Sequence, residues 1–289
     1  MATKMAQYKG SAQYIVSDEL RNSVNIAIAL GKPLLIKGEP GTGKTMLAQS
    51  IAEALDKQLI IWNIKSTTKA QEGLYVYDTV QRLYDSQFQD HDVSNIKQYI
   101  KHGKLGEAFR SHDQVVLLID EIDKADLEFP NDLLWELDQM SYYIPETKET
   151  ITARTRPIVI ITSNAEKELP DAFLRRCIFH YIAFPEPDEM ERIIRVHHPN
   201  LDKRLLEQAM ETFYMLRNLN NIQKKPSTSE LIDWLQALVV GGISPSKIKQ
   251  DMPFLGVLLK KNEDLDLLLN GLQAKTQNRS KPRSSMWGR

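Results

Sequence analysis

The sequence predicts an α/β domain built on a parallel sheet with flanking helices, followed by a small all-helical domain. Up to about residue 184, short apolar runs typical of buried parallel strands alternate with patterns typical of amphipathic helices. After Pro185 and Pro187 the periodic segments are all helical in pattern. Strands alternating with helices indicate a parallel sheet, and helices alone indicate a second domain. We therefore expect an α/β domain over residues 1–184, a helical domain over 185–272 and a basic, disordered tail over 273–289.

The first domain opens with a polar segment, residues 1–14, and a helix that Ser17 or Asp18 caps and Gly31 ends. Five apolar runs are predicted to form strands: 34–37, 59–64, 115–119, 157–162 and 178–184. Helices are predicted at 44–55, 129–140 and 169–176. Two further segments complete the domain, an insertion at 65–112 with a hairpin or helices on the sheet edge, and a β-hairpin at 142–154.

The second domain is predicted to contain three long helices and one short helix. Their segments are 188–198, 202–219, 227–240 and 263–272. The residues interpreted as breakers between them are Pro226, Gly241, Gly242, Pro245 and Pro253.

Composition places few demands on the function. The chain has 289 residues, a formal net charge of −1 and one cysteine, Cys177. A charge this close to zero gives no global attraction to nucleic acid or to an anionic membrane. The first residues lack the apolar core of a signal peptide, and no apolar run approaches the length of a membrane span. We expect a cytoplasmic protein without a membrane span.

A glycine-rich segment directly follows the first predicted strand and directly precedes a helical pattern. Its spacing, G-x-x-x-x-G-K-[ST], is that of a phosphate-binding loop, and a chance match in a glycine turn is the alternative. Gly38, Gly41 and Gly43 allow positive φ, so that successive N–H groups can turn toward a phosphate at the helix N-terminus. Lys44 is predicted to reach the β- and γ-phosphates, and the Thr45 hydroxyl to hold Mg²⁺. The residues predicted to bind the nucleotide are Gly38, Glu39, Pro40, Gly41, Thr42, Gly43, Lys44, Thr45 and Met46.

Two acids follow the most apolar predicted strand. Asp120 stands where an acidic residue meets the Mg²⁺ of a bound nucleotide, at the carboxyl end of a parallel strand. Glu121 beside it is positioned to act as general base on an attacking water. The alternative for Asp120 is a solvated acidic strand end.

The motifs together resemble those of AAA+ ATPases in order and approximate spacing. The resemblance is carried by four segments: Gly38–Thr45, residues 117–125, the strand ending at 162–164, and residues 174–176. The insertion, the hairpin before Asn164 and the segment 226–231 resemble the helix-2-insert clade, and its MoxR family in particular. The resemblance covers about residues 12–272. It implies a P-loop NTPase that uses ATP and Mg²⁺ and whose helical domain is a lid.

The resemblance also implies roles for residues beyond the two main motifs. Asn164 would position the lytic water together with Glu121, although an asparagine here could simply cap a turn. Arg176 would stabilise charge on the nucleotide of a neighbouring subunit, with Arg175 as the other candidate for that role. Surface arginines on a short helix are the alternative for both.

Two further positions bear on the resemblance. Relatives often place an arginine at the start of a lid helix, whereas this sequence has Ser229 at the corresponding position. Lid coupling to the γ-phosphate is therefore expected to be weaker or to use another residue. Asn63, at the end of the second strand, is a candidate partner for Glu121 or a capping residue.

The resemblance implies a ring ATPase, a homo-hexamer, that acts as a chaperone or activator. Such a protein remodels or matures a client enzyme and works with a separate partner that carries a von Willebrand factor A domain. The alternative is a nucleic-acid-directed AAA+ motor subunit of the restriction or helicase-loader type, which the near-neutral charge disfavours. A switch that binds ATP without hydrolysis and a monomeric kinase are further hypotheses. Glu121 and Asn164 disfavour the first, and a shared active site would exclude the second.

Overall fold

The computed structural model describes residues 7–88 and 93–268. The chain divides into two compact units, the first ending at Phe184 and the second beginning at Pro185. The predicted tail, residues 273–289, lies outside the described residues, as do residues 269–272 of the last predicted helix. None of the helices in the described part of the chain has the length and apolar character that crossing a membrane requires.

Nine strands are present among the described residues: β1 Leu34–Gly38, β2 Leu59–Asn63, β3 Tyr75–Tyr77, β4 Ile100–His102, β5 Val116–Asp120, β6 Ser141–Ile144, β7 Glu149–Thr152, β8 Ile158–Ser163 and β9 Ile178–Ile182. Five of them form a parallel sheet in the order β2-β5-β8-β1-β9. The pairs β3–β4 and β6–β7 are separate antiparallel ribbons. The predicted α/β fold class is confirmed.

The helices in the first unit are α1 Asp18–Leu30, α2 Lys44–Ala54, α3 Ala70–Leu74, α4 Thr79–Phe88, α5 Lys104–Arg110, α6 Phe129–Asp132, α7 Leu134–Gln139 and α8 Asp171–Leu174. Those in the second are α9 Pro187–His197, α10 Lys203–Arg217, α11 Thr228–Val240, α12 Pro245–Asp251 and α13 Leu255–Leu258, and residues 262–268 are also helical. Short 3₁₀ turns cover Ile96–Tyr99 and Ile122–Lys124.

The three central strands of the parallel sheet, β5, β8 and β1, are buried on both faces. Successive side chains point to opposite sides of a strand, and nearly all of them in these strands are buried. On β1, Leu34 and Ile36 pack with the inner faces of α1 and α2, whereas Leu35 belongs to the core on the other face. That second core includes Phe109 of α5 and Phe173 of α8. The near-continuous apolar runs in the sequence are therefore explained by helices on both sides of the sheet.

The N-terminal segment is more than a polar lead-in, because it carries a fully buried aromatic residue. Tyr8 is inaccessible to solvent, and its hydroxyl lies 2.7 Å from Oγ of Ser50 in α2. Its backbone N–H donates to Asn25 Oδ1 (2.9 Å), and its carbonyl accepts from Asn25 Nδ2 (3.0 Å). The segment is thus fastened to both α1 and α2, which the polar composition of residues 1–14 did not indicate.

The insertion contains a helix whose apolar side faces outward. In α4, Val80 is 77% exposed, and Leu83, Tyr84 and Phe88 are also exposed. Asp85 is the inward residue, 8% exposed, and its carboxylate accepts hydrogen bonds from Gln81 Nε2 (2.7 Å) and from the Tyr99 hydroxyl (3.0 Å). Polar contacts therefore hold α4 against the rest of the insertion, and the apolar side chains of α4 are exposed to solvent.

Several predicted helices are shorter or more numerous in the structure. The single helix expected at 129–140 is two helices, α6 and α7, because the Leu133 N–H bonds back three residues to the Pro130 carbonyl and tightens the turn. The helix expected at 169–176 is only α8, since Pro170 caps its start and 3₁₀-type bonds follow it. Pro245 begins α12 rather than ending a helix, in keeping with proline's preference for the first helical turn.

The second unit is an all-helical bundle with its own core. Phe213 of α10 and Trp234 of α11 are fully buried, and the Trp234 indole N–H donates to the Pro253 carbonyl at 2.7 Å. Helix α11 begins with a reciprocal capping box between Ser227 and Glu230. Its start is therefore fixed by local hydrogen bonds as well as by packing.

Candidate nucleotide site

The phosphate loop, residues 38–45, connects β1 directly to α2 at the carboxyl end of the parallel sheet. Gly41 and Gly43 have φ of 78° and 81°, in the left-handed region that favours glycine. Gly38 does not have positive φ, which corrects the prediction that all three glycines do. It is required for space instead, since a Cβ there would lie 2.6 Å from the Ile182 carbonyl oxygen of the neighbouring strand β9.

The side chain of Lys44 is folded into the loop. Lys44 is 6% exposed, and its Nζ donates to the carbonyls of Gly38 and Glu39, both at 2.8 Å. Burial lowers the pKa of Lys44, and the carboxylates of Asp123, Glu121, Asp120 and Glu39 act in the opposite direction. A cation held in this way can exchange its carbonyl partners for phosphate oxygens without leaving the loop.

The remaining predicted nucleotide contacts lie in the same turn. Thr42 Oγ1 donates to the Glu39 carbonyl at 2.9 Å and closes the loop across Pro40. Met46 occupies the first turn of α2 and is partly exposed. The N-terminus of α2 therefore presents its backbone N–H groups next to a closed, glycine-containing loop, an arrangement suited to binding an anion.

Three oxygen-bearing side chains meet beside the loop. The Thr45 hydroxyl donates to the Asp120 carboxylate, with 3.2 Å to each oxygen. The Thr162 hydroxyl on β8 donates to Asp120 Oδ1 at 2.6 Å. Oxygen donors of this kind fit Mg²⁺, which commonly takes one carboxylate and completes its shell with water and substrate phosphate. Thr45 and Asp120, the two predicted metal ligands, are brought together.

Glu121 is held on three sides. Its φ is 58° and its backbone N–H donates to Thr162 Oγ1 at 2.8 Å. One carboxylate oxygen, Oε1, accepts from Asn164 Nδ2 at 2.8 Å, and the other accepts a short hydrogen bond from Lys124 Nζ. This hydrogen bond raises the pKa of Lys124. Asn164 and Lys124, rather than the exposed Asn63, are the partners that the structure gives to Glu121.

The two candidate arginines are not at this end of the sheet. In the parallel pair β1–β9, Gly38 lies beside Ile182, and Leu34 lies beside Ile178 at the other end. Arg175 and Arg176 precede Ile178, so they lie at least about 13 Å from the phosphate loop along the strand at about 3.3 Å per residue. Both are exposed, and Arg176 Nε forms an ion pair of 2.6 Å with Asp138.

Three residues of the site were not singled out from the sequence: Thr162, Asp123 and Lys124. Thr162 forms hydrogen bonds to both acids' segments, Asp123 is 2% exposed, and Lys124 contacts Glu121. The sequence signal for the last two was their position within residues 117–125. Thr162 had the weaker signal of lying where an apolar strand turns polar.

A family model described as "ATPase family associated with various cellular activities (AAA)" matches residues 34–185, just over half of the chain. The chain belongs to the AAA family. The matched region of this AAA protein runs from the start of β1 to Pro185 and so contains the phosphate loop, Asp120, Glu121 and Asn164. These geometries are therefore features of an AAA ATPase domain.

Curated relatives of this AAA protein are distant and much longer. Midasin of Dictyostelium discoideum is 26% identical over 203 residues, which covers 68% of this chain and 3% of midasin. Lon protease of Finegoldia magna is 26% identical over 220 residues, 70% of this chain and 25% of that protease. A mitochondrial Lon protease homologue of Phaeodactylum tricornutum is 29% identical over 178 residues, 57% of this chain and 17% of the relative. The aligned part is thus a quarter or less of each relative.

Proposed function

We propose that this AAA protein hydrolyses ATP in the presence of Mg²⁺. The observation that carries the proposal is the Glu121–Asn164 pair. Asn164 Nδ2 donates to Glu121 Oε1 at 2.8 Å, and this carboxylate follows Asp120, which contacts Thr45 next to the phosphate loop. A nucleotide-binding loop alone would serve binding only. A fixed carboxylate next to it supplies a group that can accept a proton from water.

The proposed reaction assigns a task to each side chain. Lys44 and the N–H groups of the loop bind the β- and γ-phosphates. Mg²⁺, held by Thr45 and Asp120, would neutralise charge on the phosphate oxygens. Glu121 takes a proton from the attacking water while Asn164 orients that water. The water oxygen bonds to the γ-phosphorus, the bond to the β–γ bridging oxygen breaks, and ADP leaves with phosphate.

Arg176 is proposed to act on the nucleotide of a neighbouring subunit. The placement of Arg175 and Arg176 at the far end of the β1–β9 pair supports action on another chain's site. An interface in which one end of each subunit meets the opposite end of the next is heterologous, and such interfaces form a ring when the rotation between subunits closes. A homo-hexameric ring is the assembly that the resemblance to AAA+ proteins favours. In that assembly Arg176 would exchange Asp138 for the transition-state phosphate.

The client is proposed to be a protein, in a MoxR-type chaperone or activator that works with a separate von Willebrand factor A domain partner in the cytoplasm. The resemblance of the motifs, the insertion and the segment 226–231 supports this proposal. The outward apolar residues of α4, among them Val80, Leu83 and Phe88, favour a protein surface as the partner. The net charge of −1 gives no global attraction to nucleic acid, which disfavours it as the partner.

The first test is steady-state ATP hydrolysis by the wild type, Lys44→Ala and Glu121→Gln. Turnover that is lost in both variants, with nucleotide binding kept in Glu121→Gln, is the expected result. Unchanged turnover in Glu121→Gln would reject this residue as the base. No turnover by the wild type at any protein concentration would reject hydrolysis.

The client is tested by pull-down from native lysate with Glu121→Gln as bait and Lys44→Ala as control. We expect a von Willebrand factor A protein or an enzyme to be enriched only with Glu121→Gln and ATP. Enrichment of nuclease-sensitive nucleic acid instead would reject the chaperone function and support a nucleic-acid motor.

A further inference from the structure

The segment after β5 carries a second acid that is buried rather than directed to the nucleotide. Asp123 is 2% exposed and lies in the 3₁₀ turn Ile122–Lys124, directly after Glu121. Burying a carboxylate is costly unless hydrogen bonds compensate for the lost water. The hydrogen bonds of Asp123 therefore identify the groups that compensate for its burial.

Both oxygens of Asp123 accept backbone N–H groups from the loop that follows β8. Oδ1 accepts from the Asn164 N–H at 3.3 Å, and Oδ2 from the Glu166 N–H at 2.9 Å. Between them, Ala165 has φ of 60° and donates its own N–H to Ser163 Oγ at 3.1 Å. The left-handed conformation of Ala165 turns the N–H groups of Asn164 and Glu166 toward the same carboxylate, so Asp123 binds both ends of this turn.

These contacts close a ring of interactions that includes the proposed base. Asp123 fixes the backbone of Asn164, the Asn164 side chain binds Glu121 at 2.8 Å, and Glu121 is two residues before Asp123 in the chain. A further hydrogen bond joins the same two segments, because Lys167 Nζ donates to the Ala125 carbonyl at 2.9 Å. The loop that carries Asn164 is thereby fastened to the segment that carries Glu121.

We propose that Asp123 is a positioning residue for hydrolysis, which sets Asn164 and through it the carboxylate of Glu121. This inference rests on the proposed ATP hydrolysis. Asp123 bonds to backbone N–H groups and acts through its neighbours. A displacement of about 1 Å in a catalytic group can cost about 100-fold in rate, so loss of these two hydrogen bonds should slow turnover without preventing nucleotide binding.

The test is a double-mutant cycle between Asp123→Asn and Asn164→Ala. An asparagine at 123 keeps one acceptor oxygen and turns an NH₂ group toward the other N–H, so one of the two bonds to the loop is lost. We expect kcat to fall about 10- to 100-fold, with KM for MgATP changed less than about threefold. If Asp123 acts through Asn164, the double variant should be no more than about twofold slower than Asn164→Ala alone.

Asp126→Asn is the matched control, because Asp126 is an exposed acid on the same segment. Its kcat should equal that of the wild type. Asp123→Ser is assayed in the same cycle, because it buries no charge and keeps one acceptor, and melting temperatures accompany every variant. Fully additive losses of kcat, or a raised KM at unchanged kcat, would overturn the positioning role. Absence of ATP turnover by the wild type would instead reject the proposed function.

Discussion

The side-chain amide of Asn164 lies 2.8 Å from Oε1 of Glu121, although 43 positions separate the two residues in the chain. The contact joins the ends of β5 and β8, which are adjacent in the sheet. Because Asn164 donates and Glu121 accepts, the contact orients the Glu121 carboxylate. The proposed base is therefore preorganised by a neighbouring strand.

Asn164→Ala should lower kcat more than it lowers affinity. Removing the amide frees one side of the Glu121 carboxylate and removes a group proposed to orient water, so kcat should fall by about 10- to 100-fold. The dissociation constant of a non-hydrolysable ATP analogue should stay within about threefold, because Lys44 and the loop are untouched. Parallel measurements of turnover and analogue binding check both. A variant that loses binding and turnover together would contradict this assignment.

Two inactive variants should restore each other's activity when mixed. Arg176→Ala is expected to lower kcat by roughly 10³-fold, as is usual when an arginine that reaches a neighbouring subunit's nucleotide, an arginine finger, is lost. Lys44→Ala should abolish binding. In a ring of randomly mixed subunits, about a quarter of the sites would combine an intact Lys44 with an intact Arg176 from the neighbour. Turnover is measured after the two proteins are mixed at equal concentration.

Arg175→Ala mixed with Lys44→Ala identifies which arginine acts. If Arg176 is the finger, Arg175→Ala should be active by itself. If neither the Arg176→Ala nor the Arg175→Ala mixture with Lys44→Ala gains turnover over its separate components, with all variants folded, a site shared between subunits is contradicted.

Gly38→Ala should destabilise the first unit although its backbone conformation suits alanine. The added Cβ would lie 2.6 Å from the Ile182 carbonyl oxygen, and a backbone atom in a sheet cannot move aside cheaply. Overpacking of this kind costs about 1–3 kcal/mol in the free energy of unfolding. Urea denaturation measures the change. Nucleotide affinity should fall as well, because a shift of the backbone at residue 38 would displace the start of the phosphate loop.

Gly256→Ala is the matched control. Gly256 lies in α13 and nothing would be within 4 Å of an added Cβ, so alanine there should raise stability by about 0.4–1 kcal/mol. Equal effects of the two substitutions would refute the steric explanation.

Cys177 should resist alkylation in the native protein. Burial raises the pKa of Cys177 to about 12, and the nearby Asp138 carboxylate acts in the same direction. At about pH 8 the thiolate fraction is then about a thousandfold lower than for an ordinary thiol, and only the thiolate reacts. Iodoacetamide labelling followed by mass spectrometry should show slow modification of the native chain and fast modification in denaturant. Equal rates in the two conditions would contradict the raised pKa of Cys177.

The parts of the site that were predictable are those whose signal is local. The phosphate loop places its glycines, Lys44 and Thr45 within eight residues, and the apolar run before Asp120 marks a buried strand. These patterns depend on one turn or one strand, so periodicity and spacing suffice to detect them. The strand runs likewise indicated the parallel sheet, because strands covered on both faces are apolar throughout.

The parts that were missed depend on which strands become neighbours. Thr162 joins Asp120 and the Glu121 backbone only because β8 lies beside β5, and the sequence does not state that order. Tyr8 was assigned to a polar lead-in because its partner Ser50 is 42 positions away. The outward apolar face of α4 was missed for a different reason. An amphipathic pattern shows that a helix has two faces, but Asp85 bonding inward decides which face is buried.

Glu121 has φ of 58° and ψ of 52°, which is the left-handed conformation. This conformation costs a residue with a side chain about 1–2 kcal/mol, whereas glycine adopts it freely. A glycine at this position would relieve that strain and would also remove the proposed base. Thermal stability and catalysis therefore favour different residues at position 121. A directed-evolution experiment that selected only for thermal stability would favour a more stable, inactive protein.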